Sequence, residues 1–359
     1  MKEKWTQEAA NEWYKNLGWI RGCNFNSSDC ANRLDMWQSY KSEEKLATAE
    51  RELALAHEIG FNAVRLWSSF DVYYAEPESY FDIFERYISL CDKYSLKVMM
   101  VLTHEEHLPR GEKFVPFPMG EQKYDWGYHQ GFAPISQEQK AQKPYHYAEY
   151  PETREKFFEM IRETVRRYAN DERIFCWNLY NEPGIKLKDR SIDILKEVFK
   201  TARAEDPIQP LCADIWRGIN CGELSSEVER VALELSDVIS FHCYAPYPQF
   251  VEQLRHILAL GRPVFMTEWL HRISGNNVRE IYPLLYMTNV GCFCWGFVAG
   301  KMQTYEPWNE YFNEWKDDMD KYDFTKWQHD LFRPSLNPYD PNEIKLIKHF
   351  NSLAMAEGR

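Results

Sequence analysis

The sequence predicts an α/β chain whose parallel strands close into a (β/α)8 barrel. Three observations predict it. Eight short runs rich in β-branched and aromatic residues alternate with longer segments whose apolar residues recur every three or four positions. The runs are almost continuously apolar, as strands buried on both faces must be. No Gly-x-Gly-x-x-Gly turn follows the first run, where a doubly wound open sheet would favour one. Alternating strands and helices imply right-handed crossovers, and eight such units is the number at which the sheet closes.

The elements follow in order. Residues 6–17 read as a short helix placed to plug the barrel bottom, and residues 18–25 form the first run. A helix over 42–59 buries Leu46, Ala49, Leu53, Ala56 and Ile59, and Gly60 suits its left-handed C-terminal position. The second run, 62–67, leads to a helix over 78–94 carrying Phe81, Phe84, Ile88 and Cys91 on one face. The third run, 97–103, opens into a long loop to about residue 150. A loop of that length inside a compact domain is usually functional. A helix over 152–168 precedes the fourth run, 174–180. Then come helix 191–204, run 210–215, helix 227–235, run 238–244, helix 250–260, run 264–267, helix 278–288 and the eighth run, 292–297. A second long segment, about 299–340, precedes a last helix over 343–353, so 1–359 reads as a single barrel domain with long loops after strands three and eight.

Composition narrows the function. The net charge of −12 argues against a polyanionic partner such as nucleic acid or an anionic membrane face. The longest purely apolar stretch, Val98 to Leu102, is far short of a membrane span. Residues 1–8 lack the apolar core of a signal peptide. The nine cysteines include no CxxC pair, and five of them sit inside strand-like runs. They read as reduced structural thiols, which makes the chain as given cytoplasmic. Aromatic residues make up 16% of the chain, more than a core alone calls for, so some should line a cleft.

In a closed barrel of this kind, active sites are built at the C-terminal ends of the strands. Polar residues close seven of the runs: Asn24, Arg65, His104, Asn181-Glu182-Pro183, His242 with Tyr244, Glu268 and Trp295. Glu182 and Glu268 would face each other across the mouth from strands four and seven. Two opposed carboxyl groups are what glycoside hydrolysis needs, one to protonate the leaving oxygen and one to attack the anomeric carbon or activate water. The stretch His104-Glu105-Glu106-His107 invites a metal, but its histidines are three apart in a loop rather than four apart on a helix, and no metal or other cofactor is expected.

This ordered set resembles clan A of the glycoside hydrolases, most closely the cellulase-like family 5, over about residues 18–296. The resemblance implies an acid/base at Glu182, within Asn-Glu-Pro, and a nucleophile at Glu268. It implies a brace for the nucleophile at Arg65, sugar contacts at His104, Asn181, His242 and Tyr244, and a floor for the reacting sugar at Trp295. A retaining hydrolase of β-linked glycans, with a carbohydrate substrate as partner, is the leading expectation, and the sequence leaves the oligomeric state open. Its carboxyl groups should then lie about 5 Å apart. Two readings compete: a metal-dependent sugar-processing enzyme on the same fold, and a carbohydrate-binding barrel that has lost catalysis. The two long insertions leave glucan, mannan, xylan and galactose-containing glycans all open as substrates.

Overall fold

The computed structural model describes residues 3–105, 114, 116–125, 128–129, 145–220, 223–323 and 325–359. Eight strands form the barrel: β1 (Arg21–Asn24), β2 (Ala63–Trp67), β3 (Lys97–Val101), β4 (Ile174–Tyr180), β5 (Leu211–Ile215), β6 (Ile239–His242), β7 (Val264–Trp269) and β8 (Gly291–Cys294). Each pairs in parallel with its neighbours in chain order, and β8 closes on β1. All eight coincide with the runs expected from sequence. The eighth ends earlier, because Gly296 takes a left-handed φ of 76° and turns the chain out of the sheet.

The helix α1 (Gln7–Leu17) precedes the barrel, and the outer ring includes α2 (Ser42–Glu58), α3 (Pro77–Lys93), α4 (Pro151–Arg167), α5 (Ser191–Ala204), α6 (Glu227–Leu235), α7 (Tyr247–Leu258), α8 (Val278–Met287) and α9 (Pro341–Ala356). Three of them begin on proline, whose fixed φ and missing N–H suit the first helical turn. Apolar periodicity does not register such a start, so α3, α4 and α9 begin one or two residues before the expected points. The helix α1 does plug the bottom, with Tyr14 packing edge-on to Phe265 at 5.2 Å and Trp13 stacking on Phe175.

Inside the barrel, side chains two apart on each strand point the same way and form layers. Ala63, Met99, Phe175, Cys176, Cys212, Val238, Phe265 and Phe293 make an apolar lower layer above α1. The next layer up is polar: Arg65, Asn178, Asp214, Ser240 and Thr267 are all buried. Register shifts at β4–β5, β6–β7 and β7–β8 lie toward the upper ends of these strands, and the one after Phe241 sets His242 beside Glu268. Bulges of this kind re-aim side chains next to active sites.

Eight cysteines are buried free thiols, and Cys221 lies outside the described residues. Among the described residues no helix is long and apolar enough to cross a membrane. The segment after β8 carries its own short helix, Asn309–Trp315, and is tied back by a bridge between Val298 and Phe332.

Candidate active site

The upper polar layer is organised by one cation. Arg65, fully buried on β2, donates from Nη1 to Asn24 Oδ1 (2.7 Å) and Glu268 Oε1 (3.0 Å). From Nη2 it donates to Asn181 Oδ1 (2.7 Å) and Asp214 Oδ2 (2.8 Å). A guanidinium is suited to this because its donors are fixed in a plane and it stays charged when buried. Four strands are thereby held in one geometry at the barrel mouth.

Glu268 receives a second donor at its other oxygen, the Tyr244 hydroxyl at 2.7 Å. Glu182 Oε1 lies 2.6 Å from His242 Nδ1, and the same nitrogen is 3.4 Å from Glu268 Oε2. One oxygen of Glu182, one oxygen of Glu268 and one His242 nitrogen all lie within 4.8 Å of one another. The two glutamates therefore meet at one mouth, as expected from their strands.

Charge explains the protonation of this cluster. Burial favours a neutral His242 ring, but Glu268, Asp214 and Glu182 outweigh it and push its pKa up to about 10. Burial would also raise Asp214, yet Arg65 and His242 hold its carboxyl well below the usual carboxylate range. For Glu268, burial pushes the pKa up; His242 and Arg65 work against it, and the nearby Glu182 adds to it. The cluster thus sets two cations, Arg65 and protonated His242, against three carboxyl groups.

The Glu182–His242–Glu268 trio has the donor atoms to bind a metal ion. Those atoms are already occupied by protein partners, and Arg65 and protonated His242 put positive charge where a metal would sit. Glu106 and His107 of the other suspected metal motif lie outside the described residues.

The remaining expected residues sit around this centre. Trp295 packs edge-on to Trp67 at 5.6 Å, and His104 packs against the same Trp67 at 5.8 Å. Trp295 is fixed by His129 of the first insertion, which lies 2.7 Å from its indole nitrogen. Burial pushes the His129 ring down to about 3, so the ring is neutral and Nε2 accepts the indole N–H. Of the aromatics in the two insertions, Trp308 reaches the site, at 5.6 Å from the Tyr244 ring. Tyr311 packs at a tilt on Trp315, which stacks on Tyr322; Tyr305 lies against Trp327, Tyr128 meets Arg33, and Tyr124 is exposed. Trp126 lies outside the described residues.

Sequence reasoning passed over Asp214, gave no role to Asn24 and did not give Glu105 the role seen here. Asp214 also accepts from Asn178 (2.7 Å), Thr267 (3.1 Å) and Ser240, which makes it the floor of the site. Its signal was available: a charged residue inside an apolar strand, two positions from inward-facing Cys212. Asn24 holds Arg65 and bonds the Thr267 carbonyl. Glu105, buried at 1% exposure, accepts from the backbone N–H groups of Gly184 (2.6 Å), Lys186 (2.6 Å) and Leu187 (2.7 Å) and from the Ser191 hydroxyl (2.5 Å). It clamps the turn after Glu182, whose own backbone sits at a left-handed φ of 45°.

The electrostatics carry a stability prediction. The folded pKa of His242 lies above its unfolded value of 6.5, so its contribution is complete below pH 6.5 and lost as pH rises through about 10. Asp214 has the opposite sign: its contribution is complete above 3.8 and lost as pH falls through its lower folded value. Urea unfolding of the wild type between pH 6.5 and 10 should show a loss on the order of a few kcal/mol. The same series on His242→Gln should be much flatter. Equal slopes would mean that His242 is neutral in the fold.

Comparison with known proteins gives the family and the fold. The family model for Cellulase (glycosyl hydrolase family 5) matches residues 20–301. No curated protein matches the chain. Solved structures share the fold at low identity. A family 5 mannosidase from Rhizomucor miehei is 15% identical, with 94% of each chain covered and a TM-score of 0.56. A β-1,4-mannanase from the sea hare Aplysia kurodai is 14% identical over 77% of this chain and 88% of that one, with a TM-score of 0.54. An exo-β-1,4-mannosidase from an Opitutaceae bacterium is 13% identical over 95% of this chain and 60% of that one, also at 0.54. With the family match spanning nearly the whole barrel, the chain belongs to glycosyl hydrolase family 5 and is a glycoside hydrolase.

Proposed function

We propose that the protein is a retaining hydrolase of β-linked glycans, with Glu268 as nucleophile and Glu182 as acid/base. The observation that carries this is that one oxygen of each carboxyl lies within 4.8 Å of the other. Retaining enzymes need a gap of about 5–5.5 Å, whereas an inverting pair stands about 6.5–9.5 Å apart to admit a water.

The roles follow from the partners. Glu268 accepts from Arg65 and Tyr244, so its charge is held and aimed while it attacks the anomeric carbon. Glu182 is the acid/base in this reading. Its Oε1 accepts from His242, which leaves Oε2 to protonate the leaving oxygen. Once Glu268 is esterified its charge is gone, and the same Glu182 then accepts a proton from the incoming water. Asn181, positioned by Arg65, offers its amide to the 2-hydroxyl of the sugar, and Trp295 offers the sugar an apolar face.

β-Mannosides come first among candidate substrates, because the solved neighbours of known name include mannosidases and a mannanase. The test is a panel of aryl β-glycosides and β-1,4-mannan, glucan and xylan oligosaccharides, followed by NMR during turnover. The first-formed sugar should be the β-anomer. First release of the α-anomer would overturn retention.

A further inference from the structure

Between β1 and β8, behind Trp295, a recessed niche opens off the barrel mouth. Its walls include Asn24, Asn26, Ser28, Trp295, Thr304 and Asp330. It has room for about one water-sized group, so no second sugar ring fits inside.

The back of the niche is sealed by a seam between two loops. The Lys301 amide donates to the Ser28 carbonyl at 2.9 Å. Gly300 makes this possible, since a Cβ there would fall 2.1 Å from the Ser28 oxygen. Ser28 is itself pinned by buried Glu52, through its amide (3.2 Å) and its hydroxyl (2.5 Å).

Two acceptor atoms in the niche have no hydrogen-bond donor among the described residues. Asp330 is 0% exposed, and the Thr304 hydroxyl serves its Oδ2 at 2.5 Å. Its Oδ1 has no hydrogen-bond partner among the described residues, and neither does the buried Oδ1 of Asn26. A buried acceptor left empty costs about 1–3 kcal/mol, and more when it is charged. Consistent with that, burial pushes the Asp330 carboxyl up to about 7. A hydroxyl entering the niche would donate its one proton to Asp330 Oδ1 or to Asn26 Oδ1.

The site's layout indicates where that donor comes from, if the proposed roles of the two glutamates hold. The anomeric carbon lies at Glu268 on β7, and Asn181 and Glu182 on the β4 side take the 2-hydroxyl and the leaving oxygen. The far edge of the same sugar ring then turns toward β1 and β8. A ring hydroxyl is fixed at that edge, whereas a hydroxymethyl group projects one carbon further and can enter a recess. We infer that the niche of Asn26 and Asp330 receives the C6 hydroxymethyl group of the reacting sugar and selects hexosides over pentosides.

The test uses 4-nitrophenyl β-mannoside and β-glucoside, their 6-deoxy and 4-deoxy counterparts, and β-xyloside. The enzyme should turn over the better hexoside about 10–100-fold faster, in kcat/KM, than its 6-deoxy form or the xyloside, the range for a hydrogen bond to a charged group. Asp330→Ala should remove most of that ratio by slowing the parent hexoside alone. Asp330→Asn tolerates the left-handed φ of 51° at this position and should keep part of it. Asn26→Ala, at a side chain only partly buried, should narrow the ratio even if Asp330→Ala fails to fold. Equal rates on parent and 6-deoxy substrates, a ratio unchanged in these variants, or a loss confined to the 4-deoxy sugar would each overturn the assignment. Absence of turnover on every glycoside would instead overturn the proposed function on which it rests.

Discussion

Glu268→Ala should lower turnover of every glycoside by roughly four to six orders of magnitude, because it removes the carboxylate that forms the covalent intermediate. External azide should restore part of the rate and give the α-glycosyl azide, attacking from the face the missing carboxylate leaves open. Glu182→Ala should behave differently. An aryl glycoside with an acidic phenol needs no protonation to depart, so its glycosyl-enzyme should still form. Azide should then release a β-glycosyl azide, since Glu268 still reacts first. Substrates with poor leaving groups should lose nearly all activity. If the two variants respond alike to good and poor leaving groups, the roles are misassigned even where both residues prove essential.

The charge arrangement supplies the reason for this asymmetry. Glu268 is held between a guanidinium and a phenol hydroxyl, both donors to a charged oxygen. Glu182 meets the single His242 nitrogen and is the more exposed of the two, at 15% against 7% of its side chain. The better-solvated, less fully bonded carboxyl is the one placed to exchange a proton with a substrate oxygen.

The barrel and its mouth were legible because both depend on local pattern. Strands buried on both faces must be apolar throughout, and a polar residue closing one is conspicuous; Asn181-Glu182 and Glu268 stand out for that reason. What supports them was less visible. Asp214 is flanked by Ala213 and Ile215, so its run still reads as an ordinary strand. Only closure of the barrel reveals that β5 carries it to Arg65. His129, which fixes Trp295, lies 166 positions away in a long insertion, and no periodicity links the two. Glu105 was hidden by its neighbours: within His-Glu-Glu-His it suggested a ligand, whereas its partners are backbone amides, which a sequence does not display.

Glu105 also bears the second large effect. Its carboxylate accepts three backbone N–H groups of the turn at 184–187 and the Ser191 hydroxyl, and Tyr180 approaches it at 3.3 Å. That turn begins at Glu182, whose left-handed backbone costs about 1–3 kcal/mol and persists only where its surroundings enforce it. Glu105→Gln keeps the size but turns an amide N–H₂ toward donors, so at least one buried amide loses its acceptor. Displacement of Glu182 by about 1 Å is enough to cost on the order of 100-fold in rate. The loss should depend on the leaving group, because Glu105 acts through the acid/base: kcat for oligosaccharides should fall about 100-fold or more, while an aryl glycoside with an acidic phenol loses little in forming the glycosyl-enzyme. Melting temperature should fall as well, and that drop by itself is equally consistent with a role in the fold alone. The discriminating measurement is the dependence of rate on phenol pKa, which should steepen in Glu105→Gln toward that of Glu182→Ala. A uniform loss across all leaving groups would show that the clamp serves the fold and not the placement of Glu182.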